Sequence, residues 1–218
     1  MLLDKCKRYL IFLVGLFINS LGISLITKAS LGTSPISAIP YVLSLNFPFT
    51  LGEFTIAFSI LLILIQLAIL RRNFRLEHLL QVPISVLFGY FIDLSMMLLE
   101  FVQPEGYALQ LASLLLGCVI LGFGVYLEVL ADVAMLPGES FVRAIVVTWH
   151  TDFGITKILF DTSLAVGAGI LSLLLTQTLE GVREGTIIAA LAVGFLARLF
   201  GRWLAFLPPR LFSQPSQG

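Results

Sequence analysis

The chain has 218 residues with no net charge at pH 7, 58% of them hydrophobic and 12% charged, and a mean hydropathy of +1.02. Soluble domains carry about 25% charged residues, so the composition excludes an ordinary soluble enzyme or a basic nucleic-acid binder. It points to an integral protein of the lipid bilayer.

The first apolar run follows a basic tail of Lys5, Lys7 and Arg8, and no small-residue cleavage site ends it. It reads as a retained first helix, not a removed signal. A span needs about 20 mostly apolar residues, and six such stretches lie at 10–29, 52–70, 79–100, 108–128, 154–176 and 186–206. The expected fold is therefore all-α, one transmembrane domain over 1–218. Two intervals, 30–51 and 129–153, are too polar for further spans and too apolar for plain loops. Pro35 and Pro137 each open a short apolar stretch, and proline suits a first helical turn. The segments 35–46 and 137–149 are expected to be half-helices, either re-entrant or lying on the membrane surface.

These two regions are copies. Gly22 and Gly124, Ala29 and Ala131, Pro35 and Pro137, and Gly52 and Gly154 are each 102 residues apart. Gly89 and Gly194, and Asp93 and Arg198, follow at an offset of 105. Each copy holds three spans, 10–100 and 108–206. An odd number inverts the second copy relative to the first, a transporter architecture with its site expected near the midplane.

Orientation follows from Lys and Arg placement. Six spans starting inside put eleven of the thirteen basic residues on the cytoplasmic side, leaving only Lys28 and Arg183 outside. Both termini are expected to be cytoplasmic.

Ionisable groups within spans carry a large cost unless they are paired or hydrated. Asp93, Glu128, Asp161 and Arg198 are the candidates, with Glu139 in the first turn after Pro137. The matched positions of Asp93 and Arg198 allow a cross-repeat ion pair; alternatively Arg198 snorkels to the interface and Asp93 faces a wet cavity. Glu128 with Asp132, Glu139 with Arg143, and Lys157 with Asp161 share i,i+4 spacing and thus one helical face. The first copy is milder, with Asn19, Ser37, Thr55 and others. Thr33 or Ser34 is placed to cap the Pro35 helix, whose free N–H groups suit an anionic group of a solute.

Nothing here suits an enzyme. His78 and His150 lack an HExxH context, and no GxSxG, P-loop or dinucleotide fingerprint is present. Cys6 and Cys118 make no disulfide framework, and neither a metal cluster nor a cofactor is expected.

The stretch Gly22 to Ala29, Leu31-Gly32-Thr33-Ser34-Pro35 and Phe49-Thr50-Leu51-Gly52 resembles the YczE/YyaS/YitT family of bacterial membrane proteins. Gly122-Phe123-Gly124 to Glu128, Pro137, Lys157 with Asp161, and Glu184-Gly185-Thr186-Ile187-Ile188 are similar to the same family. The resemblance covers roughly 10–205 and implies a protein of the bacterial inner membrane, often described as a transporter of unknown substrate. It supplies no catalytic set. The expected function is a permease for a small polar or charged solute held between the Pro35 and Pro137 segments. A channel and a non-transporting membrane subunit are the alternatives, and homo-oligomerisation is left open.

Overall fold

A computed structural model describes residues 2–71 and 76–205. Among these the chain is all-helical: α1 (Leu2–Lys28), α2 (Pro35–Asn46), α3 (Leu51–Leu70), a 3-10 turn (Leu76–Leu80), α4 (Gln81–Leu98), α5 (Tyr107–Ala131), α6 (Pro137–Trp149), α7 (Phe153–Thr176) and α8 (Glu184–Trp203). Six helices are long and apolar enough to cross a membrane, and α2 and α6 are the two short ones. This is a multi-pass architecture, with span limits within a few residues of those read from the sequence. Of the basic residues used for orientation, Arg72, Arg75 and Arg210 lie outside the described residues.

The helix starts follow local chemistry. Thr50 and Glu53 form a reciprocal capping box on α3, the Thr50 hydroxyl accepting from Glu53 N at 3.1 Å and Glu53 Oε2 accepting from Thr50 N at 2.8 Å. Asp152 caps α7 by accepting from Ile155 N at 2.9 Å. Pro35 and Pro137 occupy the first turns of α2 and α6. Ser34 holds the N-cap position of α2, yet its hydroxyl donates to Ser37 Oγ at 3.0 Å and makes no cap bond. The capping role expected of Thr33 or Ser34 is thus corrected: the Thr33 hydroxyl is engaged with Thr27 at 2.9 Å.

α1 and α5 run antiparallel and form the centre of the bundle. The repeated glycines explain how they pack. A Cβ on Gly22 would fall 2.5 Å from the Leu121 backbone nitrogen, and one on Gly124 would fall 2.6 Å from that of Asn19. Backbones this close need glycine, the usual device where lipid removes the hydrophobic drive for helix association. Phe12, Leu16, Ile26, Leu114 and Leu121 fill the core around this seam. Ala29 and Ala131, which share the same sequence offset, are fully buried at its ends.

The other helices flank this pair. α4 packs on α1 and α8 on α5; α2 lies on α7, and α6 on α3. α2 is mostly buried in the bundle, whereas α6 is buried at its first turns and exposed at Val147 and Trp149 near its end. Ala38 and Val42 of α2 pack with Ala168 of α7 in a second apolar cluster. α6 is held instead by buried amides: Gln81 Nε2 donates to Ser140 Oγ at 2.8 Å, Ser140 Oγ donates to Gln66 Oε1 at 2.9 Å, and Gln66 Nε2 donates to the Pro137 carbonyl at 3.1 Å. The outer helix pairs are not alike. α3 and α4 pack closely, whereas α7 and α8 barely touch.

Candidate solute-binding cavity

The first turns of α2 and α6 meet head to head. The Ile36 side chain rests on Gly138, where an added Cβ would overlap it. Around this junction lies a cavity of about 580 Å³, within the range of small-molecule sites. Its wall draws on all eight helices, from Asn19 and Ile23 of α1 to Val193 and Arg198 of α8. The cavity runs from the junction along the N-terminal half of α7 and the middle of α8, from Ala189 to Arg198. It therefore reaches toward the end of the bundle where α1 begins and α8 finishes.

The seam between α7 and α8 is loose because its glycines have no neighbours across it. Gly194 has nothing within 4 Å of an added Cβ, and Gly154 meets only its own cap, Asp152 Oδ1 at 3.2 Å. The corresponding seam between α3 and α4 is shut. A Cβ on Gly52 would fall 2.2 Å from the Gly89 carbonyl oxygen. Asp93 of α4 locks that seam, accepting from the Thr50 hydroxyl at 2.7 Å and from Gly52 N at 2.8 Å. A carboxylate at a helix N-terminus is stabilised both by these bonds and by the helix dipole.

The charged groups of the wall are unevenly partnered. Lys157 Nζ bonds Asp161 Oδ1 at 2.7 Å, the i,i+4 pair expected from the sequence. Glu139 is half-buried, lines the cavity and has no hydrogen bond or ion pair among the described residues. Its expected i,i+4 partner Arg143 turns away, donating to Met135 Sδ at 3.5 Å. Glu128 is buried behind the wall and accepts from Asn19 Nδ2 at 2.8 Å. Arg198 is exposed at the mouth, with Nε donating to the Gly194 carbonyl at 3.1 Å. Among the described residues no group of three His, Cys, Asp or Glu side chains converges to hold a metal ion.

Comparison with known proteins places this geometry in a family. A family described as being of unknown function, DUF6198, matches residues 6–202, from the first turns of α1 to the last turn of α8. The chain belongs to the DUF6198 family. An uncharacterized protein of Bacillus subtilis (strain 168), YyaS, is 26% identical over 197 residues, which is 88% of this chain and 92% of the relative. That agrees with the YyaS-like resemblance carried by the glycine and proline motifs. No solved structure matches the chain.

In this DUF6198 protein the site residues expected from the sequence divide into three groups. Ser34, Glu139, Asp161 and Arg198 come together on the cavity wall. Glu128 reaches it only through Asn19. Thr33 and Asp93 lie elsewhere. Thr33 N donates to Thr186 Oγ1 at 3.3 Å and ties the entry of α2 to the start of α8. Asp93 closes the start of α3, while Arg198 turns onto its own helix at the cavity mouth, so the cross-repeat ion pair does not form. Each charge is held by partners of its own, at separate places in the bundle.

Sequence reasoning missed Ser59, Gln66, Gln81 and Ser140. Ser59 was detectable, since it stands 102 residues before Asp161 and both line the cavity. Gln66 interrupts an otherwise apolar span, a signal of a buried polar partner.

Proposed function

We propose that this protein is a membrane transporter for a small polar or charged solute, built as a 3+3 inverted repeat with α2 and α6 as re-entrant half-helices. The solute binds where their N-termini meet. The observation that carries this reading is a central cavity with one seam shut and the matching seam loose. Gly52 and Gly89 touch between α3 and α4, while Gly154 and Gly194, their counterparts, stand apart between α7 and α8. Two equivalent gates in opposite states are what alternating access between repeats requires.

The wall supports the same symmetry. Pro35 matches Pro137, Ser37 matches Glu139, Thr55 matches Lys157, and Ser59 matches Asp161, every pair at the offset of 102. The packing of α2 on α7 is mirrored by that of α6 on α3. Placed in the bacterial inner membrane with basic ends cytoplasmic, the loose seam opens to the cytoplasm. Exposed Leu159, Leu174, Leu191 and Phe195 then face lipid. In water such a surface would be an aggregation liability.

The test is a paired substitution, Gly154→Cys with Gly194→Cys, in a background without Cys6 and Cys118. Disulfide formation needs Cα atoms within about 7 Å. A carrier closes the seam in part of its population, so mild oxidation of native membranes cross-links the pair. A rigid channel or scaffold subunit leaves it unlinked under all conditions. The head-to-head half-helices also suit a channel constriction, and a protein that conducts with the seam locked would be a channel.

A further inference from the structure

We infer that the solute is an organic cation, an ammonium group carried on an apolar or aromatic body. The inference rests on the reading of the cavity as a solute site and deepens it by assigning the class of ligand.

Charge decides the class. The inner wall places Glu139 and Asp161 in the cavity. Against these two carboxylates stands one ammonium of the inner wall, Lys157, and it is already committed to Asp161 at 2.7 Å. Lys157 reaches Glu139 only through space, so Glu139 is left in the cavity with no hydrogen bond or ion pair to a cation among the described residues. Arg198 is the other cation of the wall, but it is exposed at the mouth and turned onto the Gly194 carbonyl. The N-terminus of α6 does not recruit a solute anion, because Glu139 sits in its first turn and supplies the negative charge there. A carboxylate held in a low-dielectric wall is costly unless a cation reaches it. An ammonium group of a solute completes the pair.

The remainder of the wall fits the body of such a molecule. Phe58, Phe88 and Phe153 line the cavity together with aliphatic residues. Aromatic faces attract ammonium groups, most strongly where water is excluded. A strongly hydrated inorganic cation gains nothing from this surface, and a hydrophilic anion is repelled by Glu139.

Matched probes test the class. Phenyltrimethylammonium and benzenesulfonate share one ring and differ in the sign of charge. Each is titrated into purified protein, with binding measured by calorimetry and by shift of the thermal midpoint. The ammonium compound should bind saturably and raise the midpoint, while benzenesulfonate should do neither. Glu139→Gln should weaken ammonium binding about tenfold or more. Lys157→Gln should strengthen it, because it removes the competing positive charge. Opposite effects of these two charge-removing changes are not produced by a merely structural role of either residue. A preference for benzenesulfonate, or equal binding to the wild type and Glu139→Gln, overturns the assignment. If neither probe binds while the 154–194 seam still cross-links, the ammonium class fails and the transport reading stands. If the seam never closes, the transport reading itself fails.

Discussion

Replacing Gly22 by alanine tests the packing logic of the whole bundle. The new Cβ would sit 2.5 Å from Leu121 N and 2.6 Å from its Cα and Cβ. Ordinary carbon contacts lie at about 3.5–4.0 Å, so α1 and α5 must separate by roughly 1 Å. The Leu121 atoms in the way are backbone and Cβ, so no flexible side-chain end can yield. Overpacking of this kind costs about 1–3 kcal/mol. The usual gain of alanine over glycine in a helix is small here, because a span stays helical in lipid even when its tertiary contacts are lost. Gly194→Ala is the control, since nothing lies within 4 Å of its added Cβ. Its effect should stay within about 0.5 kcal/mol. Unfolding by denaturing detergent, followed by circular dichroism and tryptophan fluorescence, measures both. Gly22→Ala should unfold at distinctly lower denaturant than Gly194→Ala. Equal stability of the two would refute the claim that the repeated glycines mark the closest approach of α1 and α5.

Three other outcomes rest on the same contacts. Asp93→Asn should destabilise the protein by about 1.5–3 kcal/mol, through loss of a charge-assisted cap on α3, without weakening binding in the cavity; a binding defect in stable protein would contradict its placement. Gln66→Leu strands the polar atoms of Ser140 and Gln81 and should lower stability by about 1–3 kcal/mol per unsatisfied group, restored in part when Gln81→Leu and Ser140→Ala are added together, as read from denaturation of the single and combined variants. Cys6 is exposed and Cys118 buried, so a membrane-impermeant maleimide should label Cys6 in inside-out vesicles only, while labelling in right-side-out vesicles would reverse the topology.

Much of the scaffold is legible in the sequence because lipid imposes few solutions. Apolar runs of span length mark six helices, and Pro35 and Pro137 mark the starts of the two short ones. The seam between α1 and α5 is written in Gly22 and Gly124, since only a missing Cβ permits that approach. Side-chain partnerships are harder to read. Asp93 reads as a deep acid of a binding site, but its partners are the hydroxyl and amide at the start of α3, and no spacing rule joins residues 50 and 93. Glu139 and Arg143 share a helical face, yet the arginine leaves it for Met135, because i,i+4 spacing permits a pair without enforcing one. The amides of Gln66 and Gln81 come together only when α3 and α4 pack. Ser59 is within reach of the repeat offset, which locates wall residues that composition alone leaves silent.

The central claim is that the cavity at the half-helix junction opens to one side at a time. A cysteine at Ser59, on the cavity wall, in a background without Cys6 and Cys118, is probed with a small impermeant thiol reagent from each face of the membrane, with Gly154 and Gly194 either native or replaced by an already cross-linked cysteine pair. With the seam free, Ser59→Cys should react from the cytoplasmic face. With the seam locked it should lose that reactivity and become reachable from the opposite face. A residue that stays reachable from the cytoplasm after locking, or that becomes sealed from both faces, would contradict the account.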